Sequence, residues 1–112
     1  METTRQQKVA HQIRKDLSEI FMHATREITQ GKMITVTVVR MSPDLSFAKV
    51  YLSIFPSDDP GKFLEGVKPH VKHIRHELGK LVRHQLRIVP ELAFYIDDSL
   101  DYAERIDDLL TQ

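Results

Sequence analysis

The sequence has no cysteine, so disulfides and thiolate metal sites are excluded, and a reducing compartment fits. No stretch approaches the ~20 apolar residues that a membrane span needs. The first residues lack the apolar run of a secretory leader. These absences lead us to expect a soluble, cytoplasmic protein with no membrane partner. Glycine is scarce, at 4 of 112 residues, too few for a phosphate-binding loop of the Walker type. Internal repeats, linkers and low-complexity segments are missing. A chain of 112 residues has room for one domain, here 1–112, and one modest core. Net charge is missing too, because 16 Lys and Arg balance 16 Asp and Glu.

The balance hides an asymmetry. Lys68, Lys72, Arg75, Lys80, Arg83 and Arg87 face only Glu77 in their stretch, whereas Asp97, Asp98, Asp101, Glu104, Asp107 and Asp108 face only Arg105. Segregated charge in a neutral chain points to a side that meets a polyanion.

Hydrophobic periodicity sets the elements. Val9, Ala10, Ile13, Leu17, Ile20, Phe21 and Ala24 fall on an arc of roughly 120°, the core-facing stripe of a helix. Thr3 with Gln6, or Thr4 with Gln7, supplies a capping box. Ile34, Val36 and Val38 alternate with Thr35, Thr37 and Val39, and Ala48, Val50, Leu52 and Ile54 alternate with Lys49, Tyr51, Ser53 and Phe55. Period-two runs rich in β-branched residues are strands. The turn chemistry of Ser42-Pro43-Asp44 between them predicts an antiparallel hairpin. A helical region runs from about Pro60, with Asp59 as N-cap, to Gln85, broken near Pro69, because an internal proline removes a hydrogen bond and clashes with the preceding turn. In its second half Val71, Ile74, Leu78, Leu81, Val82 and Gln85 share the apolar arc, opposite Lys72, His76, Lys80 and Arg83. Glu91 to Ile96 is the last strand, and Ser99 begins a short tail helix within 98–112, either ordered or flexible. The expectation is an α+β domain of order helix, strand, strand, broken helix, strand, with a three-stranded sheet.

That order resembles a K-homology domain of the second topological type, an RNA-binding fold. The local sequence is more specific. Val39-Arg40-Met41-Ser42-Pro43-Asp44-Leu45-Ser46-Phe47-Ala48-Lys49-Val50-Tyr51 resembles the hairpin of the bacterial ribosome-binding factor A family. Ile74-Arg75-His76-Glu77-Leu78-Gly79-Lys80 and Leu86-Arg87-Ile88-Val89-Pro90-Glu91-Leu92 resemble its later blocks, and Tyr95-Ile96-Asp97-Asp98-Ser99-Leu100 with Arg105-Ile106-Asp107-Asp108-Leu109-Leu110 its end. The resemblance implies a monomeric, non-catalytic factor without cofactor or metal. Such factors bind 16S rRNA on the free 30S subunit, support late maturation and 5′-end processing, and matter most in the cold. There are three departures: no GXXG loop joins the helices; the family's Ala-x-Gly kink is replaced by His70, Val71 and Lys72, so that the kink rests on Pro69 and His70; and the stretch before Leu86 is longer than in the commonest family form, which shifts the end of the basic helix.

The residues expected to meet RNA are Lys72, Arg75, His76, Lys80, Arg83, His84 and Arg87, with Arg5, Lys8, Arg14 and Lys15 as a second basic region. Cations aligned on one helix face neutralise phosphates and release counterions; the bland alternative is a solvated face with snorkelling side chains. His70, His73 and His76 fan across about 120° of a helix, too widely for one metal ion. Asp97, Asp98 and Asp101 are read as helix-start charges rather than a Mg²⁺ or acid–base pair. Tyr51, Phe55 and Tyr95 either stack bases or pack on one another. A second function class remains open: an adaptor on the same fold that binds ribosomal proteins or an assembly GTPase through its tail and sheet edge.

Overall fold

The computed structural model describes residues 2–56 and 59–97. Helix α1 spans Thr4–Met22. It begins with the Thr3–Gln6 capping box: the Thr3 hydroxyl accepts from the Gln6 amide at 3.1 Å, and the Gln6 side-chain carbonyl accepts from the Thr3 amide at 2.8 Å. The Gln6 side-chain amide also donates to the Met41 carbonyl at 3.0 Å. One buried side chain thus caps the helix and fastens it to the sheet. A short helix α2, Arg26–Thr29, comes next and ends at Gln30 in the left-handed region.

Strands β1 (Met33–Met41) and β2 (Phe47–Phe55) form the expected antiparallel hairpin. Its turn is held by Asp44, whose carboxylate accepts from both the Ser42 and Ser46 hydroxyls and from the Ser46 amide. Those bonds, the Ser46 hydroxyl first, lower the Asp44 pKa from 3.8 to about 2, so the clamp stays ionised at neutral pH.

One expectation fails in β1. The alternation does not run on to Val38, because a bulge lies between Val36 and Val38. The extra residue, Thr37, reverses the facing of the residues after it. Val36, Val39 and Met41 are buried, whereas Val38 is exposed. The Thr37 hydroxyl donates to the Tyr51 carbonyl at 3.2 Å and to the Asp97 carboxylate.

Helix α3 spans Pro60–Val67, with Asp59 accepting from the Lys62 amide and Pro60 at its first turn. A 3₁₀ turn, Lys68–His70, carries Pro69 and separates α3 from α4, Val71–Val82. The break therefore falls where the proline requires it. Helix α4 stops at Val82, short of the expected Gln85. Arg83 is its C-cap, and His84, Gln85 and Arg87 lie beyond it. The basic helix ends accordingly at Arg83. Leu81, placed on the apolar arc by its spacing, is 45% exposed, and Gln85 is exposed too.

Strand β3, Glu91–Ile96, pairs parallel with β2, giving the sheet order β1-β2-β3. The helical connection between β2 and β3 is the crossover that a parallel pair needs. Ile13, Leu17, Val50, Leu52, Ile74, Leu78 and Val82 form the floor of one core between the helices and one face of the sheet. Phe21 meets Phe94 edge to face at 5.9 Å. No described helix is long and apolar enough to cross a membrane. The expected tail helix, with Ser99 and Asp101, lies outside the described residues, as does Asp98.

Candidate nucleic-acid interface

Helix α4 buries Ile74, Leu78 and Val82, so the spacing of 3.6 residues per turn turns Lys72, His76, Lys80 and Arg83 outward together. Together with Arg75, Gly79 and Val89 they line a shallow depression of about 640 Å³. Lys72 and Arg83 have no ion pair among the described residues, and Lys80 pairs with Glu77 at 3.2 Å on the surface. An exposed pair of that kind is worth about 0–1 kcal/mol and yields readily to a phosphate.

Gly79 is the residue that charge and periodicity did not single out. A β-carbon there would lie 3.1 Å from a Val89 methyl. A glycine inside a helical pattern was the available signal of a close approach. Here it lets Val89, in the segment before β3, lie against α4.

Arg75 is placed differently from the other cations. Its guanidinium donates from Nε to the Pro90 carbonyl at 3.0 Å and from Nη2 to the Val89 carbonyl at 2.6 Å, and Glu91 lies 3.6 Å away. Arg75 thus ties α4 to the start of β3 and forms the inner edge of the depression. Arg75→Lys keeps the charge but loses the planar fork that reaches two carbonyls. It should lower unfolding stability by about 1–2 kcal/mol, allowing for partial exposure. Urea denaturation measures this, and an unchanged midpoint would mean that the two carbonyl bonds contribute nothing.

The second basic region is divided. Arg5 and Lys8 line a depression with Gln85 and Leu86, beside the C-terminal end of α4. Lys15 is exposed, and at 100° per residue it continues that flank. Arg14 lies on the other flank of α1, next to Thr37 and Val38 of β1. His84 and Arg87 are exposed beyond the helix and do not line the α4 depression. His70 closes the 3₁₀ turn with Pro69. Among the described residues no three His, Asp or Glu side chains come together as a metal site. Asp97 accepts the Thr37 hydroxyl at the bulge.

Comparison with known proteins decides the family. The family model of ribosome-binding factor A matches residues 5–110. The chain belongs to the ribosome-binding factor A family. The family member from Cytophaga hutchinsonii is 48% identical over 112 residues, covering 100% of this chain and 84% of its own. The crystal structure of ribosome-binding factor A from Thermus thermophilus superposes with a TM-score of 0.63 at 22% identity, over 81% of this chain and 94% of its own. A homology model of the Thermus thermophilus factor, fitted into a cryo-electron-microscopy map of its complex with the 30S subunit, gives 0.64 at 24% identity, over 80% and 91%. These likenesses carry the K-homology-like fold. Within it, the 3₁₀ turn with Pro69 and His70 leads directly into Val71 and Lys72 of α4.

Proposed function

We propose that this protein is an assembly factor of the small ribosomal subunit, which binds the free 30S particle in the cytoplasm through 16S rRNA. It acts late in maturation, including 5′-end processing, by holding an rRNA conformation through binding energy rather than by catalysis. One observation carries the reading: Lys72, His76, Lys80 and Arg83 line one depression on the outer face of α4, in a family whose Thermus thermophilus member has been fitted as a homology model into a map of a 30S complex. Side-chain charge, rather than a glycine-rich phosphate cradle, supplies the affinity, because the turn ahead of α4 holds Pro69 and His70.

The test is co-sedimentation with free small subunits across a salt series. Each neutralised phosphate contributes a log–log slope of roughly −0.7 to −0.9. Three to four contacts predict a total slope near −3, or about a sixtyfold loss of affinity between 50 and 200 mM salt. Affinity independent of salt would reject the basic depression as the contact. A second reading, an adaptor for ribosomal proteins or an assembly GTPase, draws on a groove between α1 and α4. It is lined by Ile20, Ala24, Ile28 and by Leu81 at its exposed edge. Salt-independent binding to a purified ribosomal protein would favour that reading.

A further inference from the structure

We propose that the open face of the sheet is a second RNA surface, which takes a single-stranded stretch of a few nucleotides. It lies on the side of the sheet away from the helices and does not depend on the α4 depression. The outward residues of β2 are Phe47, Lys49, Tyr51, Ser53 and Phe55, an alternation of ring and polar group. Alternate strand residues are ~6.8 Å apart, so rings recur every ~13–14 Å with a polar group between each pair. Tyr95 of β3 lies beside Tyr51, with ring centroids 5.5 Å apart and planes 29° from parallel. The tyrosines therefore pack on each other, yet Tyr95 stays 42% exposed and Phe55 73% exposed. No described element covers this face.

Charge identifies the partner. Arg40 of β1 is paired directly across from Lys49 of β2, and like charges placed opposite each other on a sheet are destabilising. Among the described residues Arg40 has one ion pair, with Glu2 at 3.9 Å, and Lys49 has none. Both line a depression of about 360 Å³ with Glu2, Met41, Ser42 and Phe47, so its two cations outnumber its single carboxylate. A pair of cations that repel each other beside an exposed ring is complementary to a nucleotide, with its phosphate on the cations and its base on Phe47. The same geometry disfavours a protein partner, because Lys49 sits in the middle of the aromatic stripe and interface cores are depleted in lysine. It disfavours duplex RNA as well, whose bases are already stacked inside the helix. Exposed rings alternating with polar groups, with Lys49 and Arg40 at one end, match the way single strands are held by stacking and backbone charge with little sequence preference.

Fluorescence anisotropy of a labelled uridine octamer with the full chain tests this. Phe47→Leu combined with Tyr95→Leu keeps apolar bulk and removes two of the four rings, one of them beside the Arg40–Lys49 pair; it should weaken the octamer about tenfold or more. Lys49→Glu should weaken it comparably and flatten its salt dependence. Tyr95→Phe should retain affinity; Lys49→Glu should raise the unfolding midpoint by relieving Arg40 and the leucine pair should lower it by losing the Tyr51–Tyr95 contact, with every variant folded at the temperature of the binding assay. Charge reversal on α4 should leave octamer affinity within about twofold while it lowers subunit binding, which separates this face from the α4 reading. Wild-type octamer binding by the leucine variant would overturn the proposal. So would a wild type that does not bind the octamer, or octamer binding lost through α4 alone. If the leucine variant lost subunit binding but kept the octamer, the face would belong to a protein partner, and the proposal would again fail.

Discussion

Replacing Lys80 and Arg83 together by glutamate should reduce the affinity for free small subunits by about 30- to 1,000-fold. Both side chains border the α4 depression, and neither is needed by the fold. Lys80 makes one exposed ion pair, with Glu77; Arg83 is an exposed C-cap whose backbone amide, not its side chain, bonds to the Gly79 carbonyl. Reversal removes two phosphate partners and puts two like charges in their place. Juxtaposed like charges cost several kcal/mol, of which about 2–4 is reasonable at a wet surface, and each 1.4 kcal/mol is tenfold. Glu77, half-buried, loses its cation as well, and a surface pair of this kind is worth about 0–1 kcal/mol. Acidic charge at the C-terminal end of α4 and beside Glu77 costs about a few tenths of a kcal/mol at each place, so the thermal midpoint should fall modestly, and binding measured well below it tells binding loss from misfolding in one preparation. Arg87→Glu is the internal comparison. It reverses the same charge outside the depression and should cost less than tenfold. Equal losses at Arg87 and at the Lys80–Arg83 pair would show that the chain is attracted by general charge rather than through this depression.

The divide between features legible in the sequence and features that were not tracks the range of the interactions. The α4 face was legible because periodicity is local: Ile74, Leu78 and Val82 go in, and Lys72, His76 and Lys80 come out. The break at Pro69 and the Asp59 cap were legible for the same reason, since each depends on a few neighbouring residues. The bulge at Thr37 was not. Both facings of Ile34 to Val39 are β-branched, so the pattern itself does not choose between Val38 and Val39 for the core. The choice is fixed by Tyr51 and Asp97, which bond the Thr37 hydroxyl from β2 and from the end of β3. Nor was the fate of Arg75 visible. Its charge and spacing match those of its neighbours, and only the path of Val89 and Pro90 turns it into a clamp. The end of α4 was overrun because Gln85 keeps helical register, whereas the chain must leave the helix to reach β3. The open sheet face was only partly legible. Its rings were apparent from the sequence, but the opposition of Arg40 and Lys49 needs the strand register.

Leu78→Ala should lower unfolding stability by about 3 kcal/mol, within the ~2–5 kcal/mol range of buried leucine truncations. Leu78 is fully buried and belongs to the core beneath the sheet. The lost methyl groups forfeit burial, and the cavity they leave has packed walls, Ile74 and Val82 among its helix neighbours. Small domains are stable by only about 5–15 kcal/mol, so this one change removes a large share. Leu81→Ala is the matched control: the same substitution, three residues along the same helix, at a side chain 45% exposed. It should cost under about 1 kcal/mol, helped by the higher helix propensity of alanine. Urea unfolding of both proteins measures the difference, and equal midpoints would mean that the apolar arc read from the sequence, with Leu81 inside it, describes the core better than the structure does. The same pair bears on function. Lys72, Lys80 and Arg83 hold their places only because Ile74, Leu78 and Val82 seat the helix. Leu78→Ala should therefore reduce the fraction of protein that binds small subunits as urea or temperature rises, while the folded fraction keeps its affinity. The charge-reversed protein should show the opposite, with full folding and weak binding at every temperature below its midpoint.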